Sequence, residues 1–275
     1  MSGLDSYKDV KKMACEIRKE VARVLCETHD SHIGGGYSAI DILVVLYLKI
    51  MNITSYNLDD PHRNIFILSK GHIAASYYTV LAYMGIIPYE DLKKYIVNGE
   101  NYAGHIRRYV VPGVEMSGGS LGHGASVGAG MAYAKRCLKL QGNVYVLMGD
   151  GECNEGSVWE AVMLAVRFQL SNLVLIIDRN RLQSYGSDVE VMNMGNIADK
   201  FKSFGCNVIE IDGHDYDAIY RALMTSTSRN ASTPTVIVAN TIKGKGVSFM
   251  ENKLEWHFKS PNEEELSMIL EELEK

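Results

Sequence analysis

Apolar residues recur along the chain at two spacings, one typical of helices and one typical of short buried strands. Helical spacing predicts helices at residues 7 to 28, 39 to 49, 69 to 82, 158 to 166, 197 to 204, after 215, and 266 to 273. Short apolar runs between polar residues predict strands at residues 65 to 68, 144 to 148, 173 to 177, 208 to 211 and 235 to 240. Such alternation predicts an α/β fold: a doubly wound, mainly parallel sheet with helices on both faces.

The composition is typical of one sizeable domain covering residues 1 to 275. Hydrophobic residues make up 47% of the chain, and its 5 prolines form no linker. The net charge of −5, without a long basic run, gives no electrostatic footprint for nucleic acid or an anionic membrane. The amino terminus lacks the apolar core of a signal peptide, and the longest apolar run, residues 42 to 48, is too short to span a bilayer. We therefore expect a cytoplasmic protein.

The 5 cysteines are odd in number and show no metal-type pairing in the sequence. This pattern favours reduced, mostly buried thiols. Cys153 follows a polar turn that could bind a ligand, but no basic partner lies near it in sequence. A structural thiol is therefore favoured over a catalytic one.

The segment from 143 to 184 reads as strand, tight turn, helix and strand. The first strand ends at Gly149-Asp150-Gly151, and the second ends just before Asn180. A parallel crossover brings both ends to one edge of the sheet, where open α/β folds bind ligands. The Asp150 carboxylate, the Asn180 amide oxygen and a backbone carbonyl, assigned to Leu182, would supply three of the six oxygens that Mg²⁺ prefers. An ordinary turn and an ordinary loop asparagine are the alternative.

Three further segments bring polar groups or glycines to predicted turns. Ser69-Lys70-Gly71-His72 follows a predicted strand and begins a helix, whose free amides attract phosphate. His32 precedes three glycines in a segment expected to be flexible, with Ser38 as the cap of the next helix; a ligand loop and a hinge are equally open there. Residues 117 to 130 contain six glycines, which permit close backbone approach to a ligand. A dinucleotide loop is disfavoured because no acidic residue follows about 20 positions later at a strand end.

These motifs resemble those of one enzyme family. Gly-Asp-Gly, 28 residues and then Asn is similar to the metal–diphosphate motif of thiamine diphosphate enzymes, and Glu155-Gly156 resembles the transketolase version. The similarity runs in order through residues 10 to 260, over six motifs. It matches only the first third or so of a full-length transketolase.

The resemblance implies a set of site residues. It implies metal ligation by Asp150, Asn180 and Leu182, with Mg²⁺ or another divalent ion such as Ca²⁺ or Mn²⁺. It implies substrate-facing, catalytic roles for His32, His72, His105 and His257. It implies cofactor contacts from His72, Gly119, Ser120, Leu121, Gly151, Glu152, Glu155, Asn180 and Lys243.

The chain departs from the family pattern at three of these motifs. Ile33 stands where the family usually has proline, no proline follows His105, and His123 replaces the usual glutamine of the glycine loop. Arg107 and Arg108 follow His105 in a predicted loop, where a solvated pair is favoured over a contact with an anionic substrate tail.

The resemblance also implies a partner. Thiamine diphosphate reacts after a glutamic acid protonates N1′ of its pyrimidine, and in this family that glutamate belongs to a pyrimidine-binding domain that we expect on a separate chain. The expected protein is thus the N-terminal subunit of a two-chain transketolase, α2β2 or similar. It would transfer a two-carbon ketol unit between sugars or sugar phosphates and would be inactive alone.

Three alternatives remain open at this level. A deoxyxylulose phosphate synthase-like subunit or a 2-oxo-acid dehydrogenase α chain would share Asp150 and Asn180, although the several substrate-type histidines favour ketol transfer. A nonenzymatic nucleotide-binding module would use the glycines but would not need Asp150 and Asn180 to lie together.

Overall fold

Short apolar runs between polar turns form one parallel sheet, as predicted. A computed structural model describes residues 3–226 and 232–275, with side chains described from residue 8 onward. Its strands are β1 (Ile65–Leu68), β2 (Val144–Gly149), β3 (Leu173–Arg179), β4 (Asn207–Asp212) and β5 (Thr235–Asn240). They lie in the order β1-β2-β3-β5-β4, and all neighbouring pairs are parallel.

Helices connect the strands and pack on both faces of the sheet. The α-helices are α1 (Gly3–Thr28), α2 (Ile33–Leu46), α3 (Ala74–Tyr83), α4 (His123–Cys137), α5 (Gly156–Arg167), α6 (Asp188–Met192), α7 (Ile197–Ser203), α8 (Tyr216–Ser226) and α9 (Glu263–Glu272). The 3₁₀ and π turns are Tyr47–Met51 (π), Gly71–Ile73, Tyr89–Lys94, Gly151–Asn154 and Leu254–His257.

Alternate residues of the strands face two separate cores. Leu147, Ile176 and Ala239 pack with helices α1, α2, α3 and α8, whereas Val146 and Ile177 pack with α4, α5 and α7. Both faces of every central strand are thereby buried, which explains why these strands read as continuous apolar runs in the sequence. The doubly wound parallel architecture is confirmed.

Helix α2 differs from the sequence prediction at both ends. The predicted helix covered residues 39 to 49, with a flexible glycine segment before it and Ser38 as its cap. The helix instead begins at Ile33, so the glycines lie inside its first turns, Ser38 is an interior residue, and a π turn replaces its end after Leu46. A Cβ atom on Gly34 would lie 2.9 Å from the carbonyl oxygen of Trp256. These glycines therefore serve close packing, and the prediction of flexibility was wrong.

The helical segment Ile33–Met51 is long and apolar enough to cross a membrane by length and composition. However, 83% of its most apolar stretch is buried inside the fold. Its hydrophobicity is accounted for by its central position, where it contacts α1, α3 and α8.

The predicted polar loop from 183 to 194 contains one short helix. Ser187 caps α6 by accepting a hydrogen bond from the Glu190 amide, and the Glu190 carboxylate accepts from the Ser187 amide. This capping box stabilises a helix of only five residues, too short to give a periodic apolar pattern.

Candidate functional site

A cavity of about 220 Å³ lies at the carboxyl edge of the sheet. The turns after β1, β2, β3 and β5 all reach it, because parallel strands end on one side. Its lining residues are Gly35, Lys70, His72, Leu121, Gly149, Asp150, Gly151, Glu152, Asn154, Glu155, Asn180, Leu182, Gln183, Ser184, Lys243 and His257.

The structure brings Asp150 and Asn180 together at this edge. Gly149 of β2 pairs with Asp178 of β3, so the two side chains follow adjacent strand ends. The Asp150 carboxylate accepts hydrogen bonds from the backbone amides of Gly151 at 2.7 Å and Arg181 at 2.6 Å. The Asn180 amide oxygen accepts from the Leu182 amide at 3.1 Å. Backbone donors thus orient both oxygen-bearing side chains.

These groups fit a divalent ion only if the ligand itself supplies negative charge. Asp150 carries one carboxylate and Asn180 and Leu182 carry neutral oxygens, and the described residues hold no group of three or more His, Cys, Asp or Glu side chains that could bind a metal. Burial, with the neighbouring Asp178 carboxylate, raises the pKa of Asp150 despite its backbone hydrogen bonds. The amide oxygen of Asn154, which lines the cavity, is buried without a partner. A diphosphate–cation pair would relieve each of these deficits.

Asp178 and Lys70 form a buried ion pair that sequence reasoning missed. Asp178 is fully buried, and its Oδ2 accepts hydrogen bonds from the Lys70 ammonium at 2.5 Å and the Ser38 hydroxyl at 2.7 Å. Its Oδ1 accepts from the hydroxyl of Thr241, and Ser38 in turn accepts from the Asn180 amide. The signal was present, since an acidic residue ends the apolar run of β3 and a lysine follows β1.

Glu152 lines the cavity and joins three turns. One carboxylate oxygen accepts from the Ser69 hydroxyl and from the Gly122 amide at 2.8 Å, and the other accepts from the Gly149 amide at 3.1 Å. Its side chain is buried, and burial raises its pKa against the effect of these hydrogen bonds. Glu152 therefore holds the glycine loop against the strand ends.

The other predicted cofactor residues divide between the cavity and its rim. Leu121, Gly151 and Glu155 line the cavity. Gly119 and Ser120 are not among the lining residues, and Ser120 is exposed. Glu155 is likewise exposed at the surface end of the Gly-Asp-Gly turn, which keeps its carboxylate in solvent.

Three of the four predicted histidines form a cluster beside the cavity. The ring of His32 lies 5.0 Å from that of His72 and 5.2 Å from that of His257, and the last two rings are 5.9 Å apart. His105 is exposed, with its ring 6.4 Å from that of His32. The residues come from the start of α2, the turn after β1, a surface loop and the turn before α9, so only the fold brings them together.

The clustered histidines are neutral at neutral pH. Burial lowers the pKa of His32 to about 4 and that of His257 to about 3, and it holds the pKa of His72 well below its usual value. Burial, with the nearby Lys70 charge, also lowers the pKa of Lys243 to about 8. Cationic lysines beside the rings therefore favour uncharged imidazoles, which can both donate and accept a hydrogen bond.

Lys243 connects the proposed metal ligands to this cluster. Its ammonium donates to the Leu182 carbonyl at 3.0 Å and to Nδ1 of His257 at 2.7 Å. Nδ1 of His257 must therefore be the acceptor, and Nε2 carries the proton and faces the Ser184 hydroxyl at 3.1 Å. Both nitrogens of His257 are engaged.

The structure also shows where the cysteines and the arginine pair lie. Cys153 is fully buried, and burial holds the pKa of its thiol well above the usual value, as expected of a structural cysteine. The five cysteines are free, and Cys137 is exposed rather than buried. Arg107 and Arg108 are exposed, and Arg108 lines a separate surface cavity with Tyr109.

The fold and this edge of the sheet define a thiamine diphosphate-binding α/β domain of the transketolase type. The sequence matches the family "Transketolase, thiamine diphosphate binding domain" over residues 10–273. The chain belongs to this family. The match agrees with the resemblance seen in the motifs and favours it over the synthase, dehydrogenase and nucleotide-module alternatives.

Two relatives are similar along almost their whole length, and each is named as one subunit of a transketolase. The relative from the apulose-4-phosphate transketolase of Actinobacillus succinogenes is 38% identical over 269 residues, covering 98% of this chain and 97% of that protein. The 6-deoxy-6-sulfo-D-fructose transketolase subunit SqwG of a Clostridium species is 36% identical, covering 97% of each.

Among solved structures, transketolase from Leishmania mexicana superposes with a TM-score of 0.91 at 29% identity. The match covers 97% of this chain and 41% of that one. The chain therefore spans less than half the length of that transketolase, but nearly all of the two relatives that are named as transketolase subunits.

Proposed function

We propose that this chain supplies the metal- and diphosphate-binding half of a two-chain transketolase, which moves a two-carbon ketol unit from a ketose to an aldose. The observation that carries the proposal is a cluster of neutral histidines beside the cavity that Asp150 and Asn180 share. Binding groups and proton-transfer groups thus occupy one site, as ketol transfer requires.

The anchoring residues would act as follows. The oxygens of Asp150, Asn180 and Leu182 would hold Mg²⁺ or a similar ion, and the Lys243 ammonium would donate to the diphosphate. Thiamine diphosphate, when bound, supplies the nucleophilic carbon and the electron sink of the reaction. The turn held by Glu152 would present Leu121 to the organic part of the cofactor.

The four histidines would have different roles in the reaction. Nδ1 of His32 faces the Ser31 hydroxyl at 2.8 Å, which leaves its Nε2 available. The ring nitrogens of His72 have no hydrogen-bond partner among the described residues. We therefore assign proton transfer to the substrate oxygens to His72 and to Nε2 of His32, with His257 orienting Lys243 and His105 contacting the substrate at the rim.

The names of two relatives support a proposal on the substrate class, since one is named for a phosphorylated sugar and the other for a sulfonated one. We propose that the ketose of this enzyme likewise carries an anionic tail. Coupled assays of the complete enzyme should then show a higher kcat/KM for phosphorylated or sulfonated ketoses than for a matched neutral ketose. Equal kcat/KM values would contradict this part of the proposal.

The assembly is proposed on the same ground. Relatives whose names mark them as single subunits of a transketolase imply a second chain, and we propose that this second chain carries the pyrimidine-binding domain in an α2β2 complex. Residues 1–275 would form one domain of that complex. A cytoplasmic location and a place in carbohydrate metabolism of the pentose phosphate type stay predictions.

Calorimetry of the complete complex with Mg²⁺ and thiamine diphosphate tests the site directly. Asp150→Ala should weaken cofactor binding by at least about tenfold, because loss of a mere outer-shell partner of a metal ligand can already have that effect. Asp59→Ala, which removes an exposed carboxylate that is not part of the cavity lining, is the matched control and should bind as the wild type does. Wild-type affinity in the Asp150 variant would rule out the proposed metal site.

A further inference from the structure

His214 connects a buried charge network to the turn that carries Lys243. Its Nδ1 lies 2.7 Å from the Asp41 carboxylate, and its Nε2 accepts a hydrogen bond from the Ile242 amide at 2.8 Å. The imidazole does not line the cavity around Asp150. It instead contacts the residue that precedes Lys243, which lines the cavity, and it has no part in the site described above.

The hydrogen bonds fix the protonation of this ring. A backbone amide can only donate, so Nε2 of His214 must be unprotonated. Nδ1 then carries the proton and donates it to Asp41. His214 consequently acts as a neutral imidazole, with a donor toward the network and an acceptor toward the turn.

Beyond His214, the network consists of hydrogen bonds between residues of three helices. Asp41 of α2 is buried and accepts two hydrogen bonds from the Arg18 guanidinium of α1, at 2.9 and 2.8 Å, and one from the Tyr216 hydroxyl at 3.1 Å. The Arg18 and His214 contacts hold the pKa of the Asp41 carboxyl well below its usual range despite burial. His214 thus donates to an ionised carboxylate, Asp41, which is paired with Arg18 and links α2 to α1.

Toward the cavity, His214 contacts a turn in which three consecutive residues each donate a hydrogen bond. Thr241 donates to Asp178, Ile242 donates to His214, and Lys243 donates to the Leu182 carbonyl. Ile242 is the position in this turn whose amide depends on a side chain from another part of the sheet edge. Without an acceptor, this half-buried amide would have to move to find one, and Lys243 would move with it.

We propose that His214 is a positioning residue: its Nε2 fixes the Ile242 amide and so aims the Lys243 ammonium at the anionic end of the cofactor. The inference rests on the proposed function, because it assigns Lys243 to the diphosphate. It concerns the ring acceptor of His214 and does not involve any contact of His214 with cofactor or substrate.

Two amide substitutions separate the acceptor from the donor. The terminal amide of glutamine reaches about as far as Nε2 of histidine, whereas that of asparagine reaches only as far as Nδ1. His214→Gln therefore keeps an acceptor for the Ile242 amide, and His214→Asn keeps a donor for Asp41 alone. A role in positioning Lys243 predicts loss in the Asn variant and retention in the Gln variant, while a role in anchoring Asp41 predicts the reverse.

The test measures thiamine diphosphate affinity by calorimetry in the complete complex with Mg²⁺, for both variants and for each combined with Lys243→Met. His214→Asn should weaken binding about tenfold, and His214→Gln by no more than about twofold. In the Lys243→Met background the two substitutions should have no further effect, because the group that they position is gone. Amide hydrogen exchange of Ile242 in the cofactor-free chain should be faster in the Asn variant than in the Gln variant.

The outcomes distinguish this inference from the proposed function. If the wild-type complex fails to bind thiamine diphosphate, the proposed function and the inference both fail. If the wild type binds and the His214→Asn loss is equally large without Lys243, or if both His214 variants bind as the wild type does, the positioning role is overturned and the proposed function stands.

Discussion

At the scale of single residues, buried charges rather than apolar contacts set the shape of the site. Asp178 has no exposed surface, yet it accepts hydrogen bonds from Ser38, Lys70 and Thr241. These donors come from α2, the turn after β1 and the end of β5. A single carboxylate therefore holds three segments around the strand end that carries Asn180, and its desolvation is offset by those donors.

Replacing Asp178 by asparagine should reduce stability strongly. Asp178→Asn leaves the Lys70 ammonium buried without a counter-charge and places an amide donor near it, so the free energy of unfolding should fall by about 3 kcal/mol. Denaturant titration followed by circular dichroism would measure it, with Asp199→Asn as an exposed control expected to change stability by less than about 0.5 kcal/mol.

A second variant checks the cause of this loss. Adding Lys70→Met to Asp178→Asn removes the unpaired charge and should recover part of the stability. If the double variant is as unstable as the sum of the two single ones, the buried charge is not the cause.

Because the clustered histidines are neutral in the fold, we expect the stability of the metal-free chain to depend on pH. Their pKa values are lowered in the fold, to about 4 for His32 and about 3 for His257, so the unfolded chain binds more protons as the pH falls. Their contribution is complete above the unfolded value of about 6.5 and is lost as the pH falls from there toward 4, by at most about 1.4 kcal/mol per pH unit for each proton. The raised pKa values of Asp150 and Glu152 act in the opposite direction.

Comparison with a single variant isolates the histidine contribution. Urea unfolding at pH 7, 6 and 5 should show a smaller loss of stability in His32→Asn than in the wild type, because the variant cannot take up that proton on unfolding. Parallel curves for the two proteins would contradict a neutral, buried His32.

At the scale of elements, helix α2 shows how packing can override helix propensity. Three consecutive glycines are poor helix formers, and each loses about 1 kcal/mol relative to alanine in a free helix. They are nevertheless helical here because Trp256 and Lys243 lie against Gly34. The close approach lets the 3₁₀ turn that carries His257 reach the start of α2, where the His32 amide donates to the His257 carbonyl at 3.1 Å.

Alanine substitutions at glycines of two helices should therefore change the free energy of unfolding in opposite directions. Gly34→Ala would bring its Cβ within 2.9 Å of a backbone oxygen, and the overpacking should lower the free energy of unfolding by about 1–2 kcal/mol despite the better propensity. Gly130→Ala in α4 meets nothing within 4 Å and should raise it by up to about 1 kcal/mol. Thermal unfolding of both variants is the measurement, and a stabilising Gly34→Ala would show that α2 does not depend on the close contact.

At the scale of the whole molecule, the site depends on the order of strands rather than on any one motif. Four neighbouring strands each contribute a residue just after their carboxyl ends: Lys70 after β1, Asp150 after β2, Asn180 after β3 and Lys243 after β5. The helices lie on the two faces and leave this edge open. Residues separated by more than 170 positions thus meet in one cavity.

This chain should need its partner subunit for activity. We expect the purified chain to give no measurable ketol transfer, because the acid that protonates the cofactor pyrimidine is assigned to the second subunit. Mixing the two subunits with Mg²⁺ and thiamine diphosphate should restore turnover in a coupled assay. Full activity of this chain alone would contradict the division of the site between two chains.

The sequence alone determined the parallel α/β architecture and the meeting of Asp150 with Asn180. Both follow from local rules: apolar runs buried on both faces form parallel strands, and residues that end such strands share one edge of the sheet. Only the tertiary structure decided the start of α2, the burial of Asp178 with Lys70, the neutral state of the clustered histidines and the link from His214 to Lys243. Each of these depends on which distant groups pack against a residue and which donors replace its lost water. The sequence shows that an acidic residue and a lysine lie at strand ends, but it does not show which residues they pair with.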